Sequence, residues 1–309
     1  MDYQQLIKDT ALNDDRIIVM TAENMALVKE LPALLGKRFI DTGITEQTMI
    51  GMAAGLALRG RIPICHALTT FLIMRAFEFI RTDVGIPALP VKLSGFIPGF
   101  LSDANGPTHQ ALEDVALMRG IPNMEVFCPA GQEDMIGMLP YIWSSDKPSY
   151  VRIVTRKTEY DHAPFEKGKA EVISSGEDIN ILVYGFLFSE AMKTRDILKK
   201  EGYSVGLINM RSLKPVDEEI ITKIASSGSL MITMEDHFIS GGLYTIVAEV
   251  LLKHQLSVSV LPFAMKDRWF RPALLDAVLE YEGFTGRQMA DKILQTYSNQ
   301  TKNAEYHTI

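Results

Sequence analysis

Short runs of β-branched and apolar residues alternate with longer stretches of helical periodicity along this chain, and no other feature narrows its fold so far. In the first half the extended runs fall at about 16–20, 38–40, 62–65, 90–93, 124–127 and 150–154. Helices are predicted over about 3–11, 24–35, from Thr45 onward, 71–84, 109–118 and 132–142. A polar stretch at 155–169 (TRKTEYDHAPFEKGK) interrupts the pattern. The alternation then resumes, with strands at 179–184, 204–208, 229–234 and 257–261 and helices at 188–201, 216–226, 242–254 and 285–297. Such alternation implies parallel sheets covered on both faces. The expected fold class is α/β with two domains, each a mostly parallel sheet covered by helices. Residues 1–157 form the first, 158–169 a linker and 170–309 the second. The tail from Ser298 (SNQTKNAEYHTI) has little to bury and is expected to fray.

Composition removes several function classes. A hydrophobic content of 47% with 22% charged residues describes a globular chain. The net charge of −7 argues against a nucleic-acid or anionic-membrane surface. No run approaches the ~20 apolar residues of a membrane span. The opening residues MDYQQLIKDT show neither a basic n-region nor an apolar run, so no signal peptide is expected. Cys65 and Cys128 give no disulfide framework and no metal-ligand spacing, so a reducing, cytoplasmic setting is expected.

Within the first half, residues 39–60 (FIDTGITEQTMIGMAAGLALRG) place one acid, Glu46, in the first turn of a helix. That helix has no polar face, so burial on most sides is predicted. Acids favour helix N-termini for structural reasons alone, by about 0.3–1 kcal/mol. Here, however, burial favours the neutral acid and the helix N-terminus favours the carboxylate. A group under such opposed pulls can share a proton with a ring nitrogen, which is a catalytic task.

Two further stretches could join it. In residues 102–124 (SDANGPTHQALEDVALMRGIPNM), Gly106-Pro107 fixes a turn and Thr108 is a suitable N-cap for a helix starting at His109. The helix dipole would disfavour a charged ring there, leaving a neutral imidazole able to donate and to accept. A first-turn histidine bonded to its own loop is the plainer alternative. His66, at a strand end, reads as structural. In residues 67–81, Phe71, Met74 and Phe77 recur at i, i+3 and i+6. Such a stripe is ordinarily core packing, but opposite the Glu46 turn it could form a shelf for a planar ring.

GITEQ before a small-residue helix, then TTF, then GPTHQALEDVALMRGIPNM resemble the transketolase family. More narrowly, the chain resembles the carboxyl-terminal half of a transketolase encoded as a separate subunit, with a pyrimidine-binding domain followed by the family's carboxyl-terminal domain. The resemblance implies thiamine diphosphate as cofactor, Glu46 bonding N1′ of its aminopyrimidine, and the cofactor acting as electron sink. It implies Ile44, Phe71, Met74 and Phe77 around the pyrimidine, with Met74 standing where transketolases often carry the stacking aromatic. It implies His109 beside the reacting sugar, and Arg152 and Arg156 where family arginines bind substrate phosphate; a surface salt bridge is the plainer reading of both. Glu235-Asp236-His237 and Gly241-Gly242 match a carboxyl-terminal-domain pattern and are assigned to packing and assembly.

The family's Gly-Asp-Gly stretch followed by Asn, which holds Mg²⁺ and the diphosphate, is missing from this sequence. No acidic spacing offers a hard cation its oxygen ligands, so no metal ligand is expected in this chain. The resemblance therefore implies a separate diphosphate-binding subunit that holds the Mg²⁺, with two copies of each chain. Two departures bear on the sugar or sugar-phosphate substrates. Asn105 stands where transketolases usually have Asp, and 94–98 (SGFIP) lacks the family's His-Asp pair. The implied activity is transfer of a two-carbon ketol unit from a ketose to an aldose. The alternatives are a deoxyxylulose phosphate synthase-like subunit, a 2-oxo acid dehydrogenase β-like subunit, or a non-catalytic assembly subunit.

Overall fold

The computed structural model describes residues 1–306 of the chain, with side chains as far as Asn299. Apolar runs such as 17–21 (IIVMT), buried at every position, form central strands that cannot face water on either side. The first sheet contains β1 (Ile17–Thr21), β2 (Phe39–Asp41), β3 (Ile62–Leu68), β4 (Lys92–Phe96), β5 (Glu125–Phe127) and β6 (Ser149–Ile153). The second contains β7 (Glu171–Ser174), β8 (Ile179–Val183), β9 (Val205–Asn209), β11 (Leu230–Phe238) and β12 (Val260–Met265). Between them in sequence lies β10 (Ser212–Lys214), which crosses over to pair antiparallel with β5 at the edge of the first sheet.

The sheet orders are β10-β5-β6-β4-β3-β1-β2 and β12-β11-β8-β9-β7. All pairings are parallel except β10 with β5 and β7 with β9. The two sheets also share a core. Val126 and Tyr150 of the first half belong to the same buried cluster as Tyr184, Met210, Leu213 and Leu243 of the second. The α/β class with mostly parallel sheets is as expected, whereas the exchange of β10 between halves has no counterpart in the sequence pattern. Three residues are too few for period-2 alternation to register.

Several local expectations need correction. The stretch 155–169 is coil, but it is not a free linker: Phe165 is buried in a core cluster beside Phe127. Thr158 is also buried, and its N–H donates to Glu133. The helix predicted over 24–35 shrinks to Leu31–Leu35, and an unpredicted helix spans Leu275–Glu282. The last helix runs Gly286–Tyr306, so the stretch from Ser298 is helical to that point; residues 307–309 lie outside the described residues. Among the described residues, no helix is long and apolar enough to cross a membrane.

The helix Glu46–Leu58 is not buried on most sides in the single chain. Met49, Ile50, Ala53, Ala54 and Ala57 pack inward, but Met52 and Leu58 are exposed, as is Ile44 just before the helix. A Cβ added at Gly51 or Gly55 would meet nothing within 4 Å. One face of an apolar helix is therefore left bare.

Candidate active site

In a parallel sheet the loops after successive strands gather at the carboxyl edge, where α/β proteins place their ligands. That edge brings together the turn after β2, the segment after β3 and the loop after β4. Gly43, at φ +65°, makes the turn that starts the Glu46 helix; its N–H donates to Asp41 Oδ1 at 2.9 Å. Glu46 takes the first helical position and is 2% exposed. Its Oε2 accepts from Arg75 Nη1 at 2.9 Å, and the Arg75 guanidinium lies 4.3 Å over the Phe71 ring. Sequence reading missed Arg75. A buried acid requires a partner, but no sequence period turns Arg75 rather than Arg81 toward Glu46.

The segment after β3 is not the predicted α-helix. Residues Phe71–Arg75 and Ile80–Gly85 are π-helical, separated by a single α-turn at Phe77–Phe79. π-segments are rare and recur at functional sites. The i→i+5 winding takes Phe71, Met74 and Phe77 off one stripe: Phe77 packs on the core, Met74 is half-buried, and Phe71 meets His109 edge-on with ring centroids 5.0 Å apart. Ile44 is exposed beside the Glu46 turn.

His109 does not begin a helix. It closes a 3₁₀ turn, Pro107–His109, while the helix starts at Asp114 and ends at Arg119; Thr108 makes no cap. Proline at the start of the turn and the sharp Gly106 (φ +87°) stop the chain from extending a regular α-helix upstream. The Thr108 hydroxyl lies 3.0 Å from His109 Nδ1, and Thr70 Oγ1 donates to the His109 carbonyl at 2.8 Å. The structure thus joins Glu46, Arg75, Phe71 and His109 in one chain of contacts. Asn105 is exposed on the same loop, its amide donating to the Ser102 carbonyl at 2.9 Å.

Arg152 is a correction. It is 1% exposed, and both ends of its guanidinium are taken: Nε and Nη2 donate to Asp114 at 2.8 and 2.6 Å, and Nη1 to Asp236 at 2.5 Å. The Tyr150 hydroxyl also donates to Asp114. Burial pushes the Asp114 carboxyl up, but Arg152 beside it more than offsets that and holds it below its usual range. An arginine so buried and so paired is a strut between the halves, closed off from a substrate phosphate. Its neighbour in the alternation, Arg156, is exposed. It lines a cavity of about 160 Å³ with Phe186, Lys193 and Leu275 of the second half. His66 is fully buried in its strand between Tyr3 and Phe96, as its structural reading required.

A cavity of about 700 Å³ lined by Glu190, Lys193, Asp276 and Arg287 holds none of Glu46, Phe71 and His109. Asp134, His162 and Glu171 bring possible ligand atoms within 4.8 Å of one another. Arg211 lies 3.5 Å from Asp134 and 2.6 Å from Glu171, so this cluster already carries its own cation.

Residues 3–161 match the model of the transketolase pyrimidine-binding domain, and residues 168–289 that of the transketolase C-terminal domain. The chain belongs to the transketolase family. It is 37% identical over 304 residues to a putative transketolase C-terminal section of Methanocaldococcus jannaschii, covering 95% of this chain and 94% of that protein. It is 32% identical over 292 residues to the 6-deoxy-6-sulfo-D-fructose transketolase subunit SqwH of a Clostridium species, covering 93% and 90%. Among solved structures it resembles a split gene transketolase described as an inactive beta4 tetramer, with a TM-score of 0.86 and 30% identity over 96% of this chain and 97% of that one. The pyrimidine-domain match ends at residue 161, so the β10 strand that completes this transketolase sheet lies outside it.

The residues present suit the family's cofactor on the pyrimidine side. A carboxylate at 2% exposure beside a half-buried aromatic face would offer an acid to a ring nitrogen and a surface to the ring. Among the described residues, the acidic cluster at Asp134 and Glu171 is blocked by Arg211 and offers no magnesium site.

Proposed function

We propose that this chain is the pyrimidine-binding subunit of a split transketolase that moves a two-carbon ketol unit from a ketose to an aldose. The observation that carries the reading is Glu46: a buried carboxylate opening an apolar helix, with Phe71, Arg75 and His109 arrayed beside it. Thiamine diphosphate, when bound, would supply the electron sink that ketol transfer requires. Glu46 would hold a proton against N1′ of the pyrimidine, and Ile44, Phe71 and Met74 would border the ring, with Phe77 supporting them from the core. His109 would hydrogen-bond the substrate oxygens, while Asn105 on the same loop would meet sugar hydroxyls. Arg156, with its charge exposed, would receive the phosphate of a phosphorylated sugar.

The magnesium ion and diphosphate fall to a second polypeptide, two copies of each chain forming the active assembly. Two observations support a partner. Glu46 and His109 lie outside the 700 Å³ cavity, and the Glu46 helix leaves Met52, Leu58, Gly51 and Gly55 bare. An apolar face of that kind marks an interaction surface. Two buried free thiols suit a cytoplasmic setting.

Glu46→Ala in the reconstituted complex should abolish sugar turnover while assembly, read by sedimentation, stays intact. Unchanged turnover would remove the role given to this acid. Offering pyruvate beside a ketose donor separates ketol transfer from the synthase-like and dehydrogenase-like alternatives. A complex that consumes pyruvate instead of the ketose would overturn the assignment.

A further inference from the structure

The second half of the chain has no part in the proposed chemistry, yet it holds the His109 loop at many points. Residues 99–112 leave β4 and return to the helix Asp114–Arg119 with only 3₁₀ turns of their own. Ordering such a segment costs on the order of 1–2 kcal/mol per residue in backbone entropy, so its position must be imposed from outside. The loop closes on itself where Gly99 N–H donates to the Ala111 carbonyl at 3.0 Å. Several further anchors come from the carboxyl-terminal half. Asp236 Oδ2 accepts from Phe100 N–H at 3.3 Å, and Phe238 N–H donates to the Leu112 carbonyl at 2.8 Å. Gln110 Nε2 donates to the Phe270 carbonyl at 2.9 Å, and His237 Nε2 accepts from Ala116 N–H at 3.3 Å. The Phe100 ring is held edge-on by Phe186, Phe270 and Phe284. From the first half, Thr70 bonds the His109 carbonyl and Phe71 meets the His109 ring edge-on.

We propose that Gln110 and Asp236 are positioning residues for His109, through which the carboxyl-terminal domain sets where the imidazole stands relative to Glu46. Gln110 is the immediate neighbour of His109 and is 1% exposed, so its amide fixes the backbone next to the ring. Asp236 acts from the other end of the loop. Its Oδ1 is held by Arg152, which leaves Oδ2 aimed at the Phe100 N–H. Gly99 confirms how close the approach is: it sits at φ +55°, and a Cβ there would fall 1.8 Å from Asp236 Oδ2. Misplacing a catalytic group by about 1 Å costs on the order of 100-fold in rate, which gives such tethering a function beyond stability. The inference rests on the proposed role of His109 in sugar turnover.

The test uses the reconstituted complex with Gln110→Met, which keeps the bulk and removes the donor, and with Asp236→Asn, which keeps the shape and an acceptor but weakens the tie to Arg152. Two readouts are taken: steady-state sugar kinetics beside the thiamine diphosphate Kd, and amide hydrogen exchange across 99–112. The proposal expects Gln110→Met to lower kcat by about tenfold or more with the cofactor Kd within about threefold, and to speed exchange at 100–109. Asp236→Asn should shift both readouts the same way by less. Faster loop exchange with kcat unchanged in both variants would overturn it, as would unchanged exchange in both. If Gln110→Met fails to fold, Asp236→Asn alone decides by the same two criteria. Should His109→Ala turn over sugar like the wild type, the role of His109 fails instead, and the exchange data separate the two failures.

Discussion

Glu46 illustrates how much a single side chain can demand of its surroundings. A carboxylate at 2% exposure loses its hydration and must recover it from a partner, and Arg75 at 2.9 Å is that partner. Arg75 is itself 38% exposed and rests on Phe71, so the pair is wet on the cation side and dry on the acid side. Replacing Arg75 with Met should cost about 1–3 kcal/mol of stability and lower turnover of the reconstituted complex. Arg75→Lys should recover part of both, because lysine keeps the charge but neither the planar fork nor the stacking face. Thermal unfolding beside turnover checks this; a Met variant indistinguishable from wild type in both would show that Glu46 does not depend on the arginine. The need for some partner was legible in the sequence, since a buried acid at a helix start requires one. Which residue answers it was not, because the π-winding that brings Arg75 round has no sequence period of its own.

Among the elements, the stretch at 155–169 and the edge strand β7 behave as one unit. Glu171 of β7 accepts from the Ala163 N–H at 2.6 Å and from Asn209 at 3.0 Å, and meets His162 at 2.8 Å and Arg211 at 2.6 Å. Burial pushes the Glu171 carboxyl up, but the hydrogen bonds from His162, Asn209, Arg211 and Ala163 prevail and bring it down to about 2 from its ordinary 4.5. A lowered folded-state value stabilises the fold above the unfolded value and is lost as pH falls toward the folded one. Glu171→Gln should therefore lower stability at pH 7 by about 1–2 kcal/mol, allowing for partial solvent screening. The deficit should shrink between pH 4.5 and pH 2 and vanish below that. Denaturant titrations across that range would show it, and a deficit that persists at the acid end would mean the carboxylate's charge is not what counts. Polar composition alone made 155–169 look like an exposed linker, because partners such as Arg211, which donates to the Ala163 carbonyl, and Glu125, which pairs with Lys167, lie far off in sequence and leave no local trace.

For the molecule as a whole, the two α/β domains expected from the sequence are present, and they are tied through a shared core. β10 from the second half completes the first sheet, Arg152 of the first, held by Asp114, pairs with Asp236 of the second, and one apolar cluster runs through both. A chain cut after residue 168 should accordingly fail to give a soluble, cooperatively folding first domain. It would leave Val126 and Tyr150 without their neighbours and Asp114 and Arg152 without Asp236. A sharp two-state melt from that fragment would contradict the shared core. At the same scale, the intact chain alone should show no Mg²⁺-dependent thiamine diphosphate binding by calorimetry, and binding should appear on adding the diphosphate-binding subunit. Useful affinity in the isolated chain would contradict a divided cofactor site.

The sequence by itself determined the alternation of strands and helices, the parallel sheets, the apolar Glu46 helix and the family resemblance, because each is a local pattern of periodicity or motif. The motifs that single out Glu46, Phe71 and His109 are local in the same way. The tertiary structure alone decided that Arg152 is a strut, that Arg75 pairs with Glu46, that β10 changes sheets and that Asp236 reaches the His109 loop. Those outcomes depend on which buried charges find one another across long stretches of chain. A charged side chain's role is set by the dielectric and the partners it meets once the chain has packed, and neither is written in its neighbours along the sequence.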